Sequence, residues 1–178
     1  MVLRLEHLLN NKKLNTMKKT NILYTALVIL LVASLASCKK DYKAGGTNVQ
    51  ALANEWWVTV DGGTDYYNLT TYNTAANDGK QMWIDDFNNA ASFWDIKGKV
   101  NVDVANQTFS GTDIANQYYT STFTITNGKI FTNATKAPGS HDVTDSIRFT
   151  IQFSDDDPAN TPHVISGYAR TKFPEDDH

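Results

Sequence analysis

The chain has 178 residues, with 16 Lys and Arg, 19 Asp and Glu, and one Cys. A single cysteine excludes an intramolecular disulfide. After Cys38 there are eleven Lys and Arg against eighteen Asp and Glu, so that part of the chain has a formal charge of −7. This charge disfavours nucleic acid as a partner, because phosphate binding requires clustered cations.

Residues 1–37 are predicted to be a lipoprotein signal peptide. Lys18 and Lys19 precede an uncharged apolar run at 22–36, ILYTALVILLVASLA. That length is typical of the hydrophobic region of a signal peptide, whereas a transmembrane helix needs about 20 apolar residues. Another basic stretch precedes Met17, and we interpret Met17 as the true start.

Cys38 is the predicted site of lipid attachment. Leu35-Ala36-Ser37-Cys38 resembles a bacterial lipobox, in which small residues admit the signal peptidase and the thiol accepts diacylglycerol. The alternative is a stray thiol at the end of an ordinary membrane anchor. Lipidation implies a location in the cell envelope, anchored to the outer membrane. Residues 38–50 then form a polar, lipidated tether, and 51–178 form one domain of ordinary size.

The first half of the domain is predicted to consist of β-strands, because its apolar residues recur with a period of two. Strands are expected at 55–60, 66–72 and 81–85, and the sequence Asn77-Asp78-Gly79 predicts a hairpin turn. The clearest alternation runs over 94–104. There the apolar residues share one face, and Asp, Asn and Lys residues share the other.

The second half continues the same pattern, with strands expected at 108–110, 119–126, 129–131, 147–154 and 163–173. Asn127-Gly128 is interpreted as a tight turn, and 133–142 as a loop. We therefore predict an all-β fold, a small antiparallel up-and-down barrel of about eight strands, since closure hides the sheet edges. The interior of such a barrel is either filled or holds one small ligand.

A set of stretches spans almost the whole chain after Cys38, in order: GGT at 45–47, NEWWVTVD at 54–61, YNTAAND at 72–78, MWIDD at 82–86, FWDIKGKVNVD at 93–103, ITNGKI at 125–130, DSI at 145–147, FSDD at 153–156 and SGYARTKF at 166–173. In this set the chain resembles the lipid-binding putative hydrolase family of small Gram-negative lipoproteins. The resemblance implies a lipocalin-like barrel and a lipid-like ligand. It assigns no catalytic residue.

Signals for catalysis or metal binding are weak. The chain after Cys38 has three histidines and no Gly-x-Ser-x-Gly elbow. Asp85, Asp86 and Asp95 are candidates for acid–base chemistry. Asp85 and Asp86 are neighbouring strand residues that point to opposite faces, and solvated strand ends are the favoured interpretation. The acidic run at 155–157 lacks the spacing of a calcium loop and is interpreted as a surface loop. We predict no catalytic residue, no metal site and no cofactor.

Aromatic side chains are the main functional lead, because apolar-lined cavities suit lipid-like ligands. The candidate lining residues are Trp56, Trp83, Trp94, Ile96, Tyr119, Phe123, Phe149 and Phe153. The alternative for these side chains is an ordinary core. We predict an anchored barrel whose partners are a small apolar or amphipathic ligand and, through the Cys38 lipid, the membrane. A non-enzymatic envelope protein that binds another protein is the second interpretation, and a hydrolase is the third.

Overall fold

The structure, a computed structural model, describes residues 45–178 together with Tyr24. Gly45–His178 form one compact unit. The predicted signal peptide, the start at Met17 and the lipidated Cys38 lie outside the described residues. Within the described part of the chain, no helix is long and apolar enough to cross a membrane.

Eight antiparallel strands form a closed barrel in which each strand pairs with its neighbours in sequence and the last pairs with the first. The strands are β1 (Asn54–Val60), β2 (Tyr67–Asn73), β3 (Gln81–Asp85), β4 (Lys97–Asp103), β5 (Thr108–Ala115), β6 (Thr122–Lys136), β7 (Val143–Phe153) and β8 (His163–Ala169). Short 3₁₀ turns at Gln50–Leu52 and Pro174–Asp176 flank the barrel. The predicted all-β, up-and-down barrel of about eight strands is confirmed.

The turn between β2 and β3 follows the local sequence. Asn77 and Gly79 have φ angles of 45° and 74°, a region that asparagine and glycine adopt more readily than other residues. The Asn48 amide donates a hydrogen bond of 2.8 Å to the Asn77 side chain, which ties the chain before β1 to this turn. The hairpin predicted at 77–79 is confirmed, since β2 and β3 are antiparallel neighbours.

Strand β4 is shorter than the alternating pattern predicts. It begins at Lys97 rather than Trp94, because Asp95 has a φ angle of 57° and breaks the extended backbone. From Lys97 onward the expected pairing with β3 is present, with Ile84 opposite Gly98 and Met82 opposite Val100. Trp94 therefore lies in the β3–β4 connection and not in the sheet.

Strand β6 is longer than predicted, and two predictions about it are wrong. Asn127-Gly128 does not end a strand: the pairing with β7 shifts register between Thr126 and Lys129, so these residues form a bulge. Asn127 has a φ angle of 54°, which suits a bulge as well as a turn. The strand then continues to Lys136, through the first part of the predicted loop at 133–142.

The barrel interior is filled by large side chains. Phe123, Phe149 and Phe153 are almost fully buried, together with a set of Ile residues contributed by β3, β6, β7 and β8. Gly98 faces this core, where a Cβ atom would lie 2.5 Å from Ile114 Cγ2 and 2.7 Å from Phe123 Cζ. The space that a side chain at position 98 would occupy is thus filled by Ile114 and Phe123, in keeping with the close packing of protein interiors.

Candidate functional site

Four connections between strands meet at one end of the barrel. In an up-and-down barrel, alternate connections lie at the same end, so those after β1, β3, β5 and β7 are neighbours. We call this end, formed by residues 61–66, 86–96, 116–121 and 154–162, the Trp94 end. The opposite end carries the chain entering β1 and the C-terminal residues.

Aromatic rings cover the core at the Trp94 end. Trp94 stacks on Phe153 with a centroid separation of 4.1 Å and an interplanar angle of 2°. Phe93, from the same connection, packs edge-on against Tyr67 at 6.3 Å. Trp94 and Phe93 are half-buried and contact the core cluster. The core therefore continues into a partly exposed aromatic surface.

Tyr119 extends this surface outward. Its side chain is 40% exposed, and its hydroxyl donates a hydrogen bond of 2.7 Å to Asp155. The same oxygen lies 3.5 Å from the Trp94 carbonyl oxygen. An open concavity of about 750 Å³ lies beside it, lined by residues 115–122 and Ser154. Its volume is within the range of small-molecule sites.

Asp86 organises the connection that carries Trp94. Its buried carboxylate accepts hydrogen bonds from the backbone amides of Ile96 at 2.8 Å and Trp94 at 3.1 Å. The Ser92 hydroxyl donates to the Asp86 carbonyl at 2.9 Å. Burial raises the pKa of Asp86 to about 6, although these amides favour the charged form. The Asp86 carboxylate thus holds the backbone of the β3–β4 connection at Trp94 and at Ile96.

His163, at the start of β8, joins two other connections. Its Nδ1 lies 2.7 Å from Asp61, and its Nε2 lies 2.9 Å from Asp156. Only the imidazolium can donate to two carboxylates at once. The hydrogen bond with Asp61, followed by that with Asp156, raises the pKa of His163 despite partial burial. The ring centroid lies 5.8 Å from that of Trp94, so this ion cluster borders the aromatic surface.

Protonation of Asp86 and His163 is expected to raise the free energy of unfolding as the pH falls from 8 to 5. Both have a raised pKa, so the folded state binds their protons more tightly than the unfolded chain does. For Asp86, a pKa of about 6 against the ordinary 3.8 corresponds to about 1.4 kcal/mol over this interval. Urea midpoints at pH 5, 6, 7 and 8 should follow that order, highest at pH 5.

The control for this pH effect is Asp86→Asn, which has no proton to bind. Its urea midpoint should change less between pH 7 and pH 5 than that of the wild type. The remaining change should follow His163, whose contribution is present at low pH and is lost as the pH rises through its raised pKa. An unchanged slope in the variant would contradict the assignment to Asp86.

Asp85 and Asp86 are buried, so the favoured interpretation of solvated strand ends is wrong. Asp85 accepts hydrogen bonds from the Tyr118 hydroxyl at 2.6 Å, Lys97 Nζ at 2.7 Å and the Tyr72 hydroxyl at 2.9 Å. Burial opposes ionisation, but these donors, beginning with Lys97, lower the pKa of Asp85 overall. Asp85 is therefore a structural anion that joins β2, β4 and the β5–β6 connection.

The structure brings most of the predicted lining residues together. In the core cluster or packed directly against it are Trp56, Trp94, Ile96, Phe123, Phe149 and Phe153. Trp83 lies on the outer face of β3, because the alternating neighbours Met82 and Ile84 face the core; it stacks on Tyr72 at 6.5 Å. Tyr119 lies in the β5–β6 connection and not on an inward-facing strand position.

Sequence reasoning missed His163 and Asp86 as organising residues. His163 pairs with Asp61, 102 residues earlier in the chain, and no local pattern indicates that contact. Asp86 carried a usable signal: it ends a strand and is followed by a polar connection, where a carboxylate often accepts backbone amides. For the acidic run at 155–157, the described residues contain no group of three or more His, Cys, Asp or Glu side chains that could hold a metal ion.

Comparison with known proteins gives a family for the barrel and the segment just before it. Residues 41–174 match the family described as lipid-binding putative hydrolase. No curated protein matches the chain. The match covers well over half of the chain and includes all eight strands. The chain therefore belongs to the lipid-binding putative hydrolase family.

Proposed function

We propose that this protein is a lipoprotein, anchored through Cys38 to the outer membrane, that binds a small apolar or amphipathic lipid-like ligand at the Trp94 end. The observation that carries the proposal is the stack of Trp94 on Phe153, a half-buried aromatic surface continuous with the core. An apolar ligand gains most where it covers aromatic surface that is still partly in water.

The ligand site lies at the end of the barrel because the interior is packed. Side chains of β5 and β6 fill the space above Gly98, which leaves no room there for an acyl chain. The open concavity beside Tyr119 offers a volume of about 750 Å³ at the Trp94 end. Tyr119 links this concavity to Trp94, since it lines the concavity and its hydroxyl is 3.5 Å from the Trp94 carbonyl oxygen.

Replacement of Trp94 by alanine tests the site. We expect the wild-type domain to bind monolauroylglycerol, a neutral acyl ligand, in isothermal titration calorimetry below its aggregation concentration. Trp94→Ala should weaken this binding by about tenfold or more, which corresponds to 1.4 kcal/mol. The matched control is Trp83→Ala, because Trp83 lies on the outer face of β3 and stacks on Tyr72. Equal binding by the wild type and Trp94→Ala would contradict the site.

The packed interior also favours a second candidate function, a non-enzymatic envelope protein that binds another protein. Phe131, Val143 and Phe173 are large apolar side chains that are 40%, 58% and 44% exposed. Exposed apolar side chains support protein contacts when they form a continuous patch. Absence of binding by the wild type to neutral, cationic and anionic acyl ligands would favour this candidate over the lipid-binding one.

A further inference from the structure

The connections that form the Trp94 end are rich in aspartate. The four connections contain seven aspartates and no lysine, arginine or glutamate: Asp61, Asp65, Asp86, Asp95, Asp155, Asp156 and Asp157. The connections and C-terminal segment at the opposite end mix both signs and include Lys80, Arg170 and Lys172. The charge of the barrel is therefore asymmetric, and its negative end is the end that carries Trp94.

The cations that border this end are already engaged. Lys97, the first residue of β4, lies 2.7 Å from the Asp85 carboxylate. His163, the first residue of β8, has both ring nitrogens bound to carboxylates. Within the described residues of this end, an anionic head group would meet carboxylates and occupied cations. Among the described residues that form or border this end, a carboxylate or phosphate ligand thus meets no Lys or His side chain that is not already paired.

Two carboxylates lie next to the aromatic surface itself. Asp95 follows Trp94 directly and is half-buried, and Asp155 accepts the Tyr119 hydroxyl at 2.7 Å. The Asn116 side chain, from the connection that carries Tyr119, donates a hydrogen bond of 3.0 Å to the Asp95 carbonyl oxygen, so Asp95 and Tyr119 lie on contacting connections. Burial, followed by the hydrogen bond to Asp155 and the charge of Asp95, raises the pKa of Tyr119. Aromatic faces beside carboxylates are the combination that recognises ammonium groups.

From this geometry we infer that the ligand of the Trp94 end is a cationic amphiphile, with an apolar chain on the aromatic surface and an ammonium group facing Asp95 and Asp155. The inference rests on the proposed function, because the aromatic surface defines the site and the carboxylates select the head group. Two carboxylates beside a low-dielectric aromatic surface attract a cation more strongly than the same charges on open surface.

Three ligands with the same twelve-carbon chain test the inference: dodecylammonium, monolauroylglycerol and laurate. At pH 7 and low salt, we expect dodecylammonium to bind about tenfold or more tightly than laurate, with the neutral ligand between them. The difference should shrink when sodium chloride is raised from about 0.02 to 0.5 M, because screening weakens exposed charge interactions. Calorimetry on the folded domain measures all three.

A double variant, Asp95→Asn with Asp155→Asn, should bring the affinity for dodecylammonium to within about twofold of the affinity of the same variant for the neutral ligand. Asparagine tolerates the φ angle of 57° at position 95, so the backbone there is preserved. The control is Asp142→Asn, an exposed carboxylate in the β6–β7 connection at the opposite end, which should leave all three affinities unchanged.

The possible outcomes separate the two proposals. If the three ligands bind equally, or laurate binds most tightly, the charge inference is overturned while lipid binding stands. If no ligand binds the folded wild-type domain, both proposals fail. If raising the salt concentration does not change the ratio of the affinities for dodecylammonium and laurate, the carboxylates do not select the head group, whatever affinities the variants show.

Discussion

Replacing Phe123 by alanine is expected to lower the free energy of unfolding by about 3–5 kcal/mol, the usual cost of truncating a buried phenylalanine. Phe123 is 1% exposed, lies on β6 and packs in the barrel core. Its ring also fills the space over Gly98 on β4, which is separated from β6 only by β5. The loss in free energy of unfolding therefore has two parts. One is the lost burial of the ring, and the other is the cost of a cavity that the closed barrel cannot easily close by relaxing.

The control for this variant is Phe131→Ala on the same strand. Phe131 is 40% exposed, so its truncation should change the free energy of unfolding by about 0.5 kcal/mol or less. Urea denaturation of both variants measures the contrast. A loss below about 1 kcal/mol for Phe123→Ala would contradict a packed interior and would revive the hollow barrel as the place of the ligand.

Gly98 provides a further check on the same packing. Its Cβ would lie 2.7 Å from Phe123 Cζ, so Gly98→Ala alone should destabilise the barrel by overpacking, by about 1–3 kcal/mol. In the Phe123→Ala background the clash with Phe123 is removed, while the contact with Ile114 Cγ2 at 2.5 Å remains, and the new methyl group occupies part of the cavity. A double-mutant cycle should therefore show a cost for the pair smaller than the sum of the two single costs.

The barrel was predictable from the sequence because its determinants are local. Alternation with a period of two places Ile147, Phe149, Ile151 and Phe153 on the inner face of β7, and the structure buries all four. The turn at 77–79 needs positive φ angles, and the sequence supplies residues that adopt them. Each of these features can be read within about ten residues.

The candidate site was predictable only in part, because its geometry depends on contacts between distant segments. Trp94 fits the alternation of β4 but belongs to a connection, where Asp86 binds its backbone amide eight residues away. Trp83 is a predicted lining residue, but it alternates with Met82 and Ile84, whose side chains face the barrel interior. The cluster of His163 with Asp61 and Asp156 forms only when the barrel closes β8 against β1.

Replacing Cys38 by serine is expected to abolish lipidation completely, because a serine hydroxyl cannot form the thioether that joins diacylglycerol to the chain. Cys38 is the only cysteine in the sequence, so no other thiol can substitute for it. A single acyl chain gives marginal membrane binding, whereas two or more chains give stable anchoring. The variant should therefore move from the membrane fraction to the soluble fraction, or stay as an uncleaved precursor held by its apolar run.

Metabolic labelling with a fatty-acid analogue, followed by gel electrophoresis, measures this directly. Ser37→Ala is the matched control, because alanine keeps a small residue before the cysteine and should retain full labelling. A chain that starts at Met17 should also be labelled fully, since Lys18, Lys19 and the run at 22–36 already provide the basic and apolar parts of a signal peptide. Continued labelling of Cys38→Ser would contradict lipidation at Cys38 and would remove the basis for the proposed anchoring.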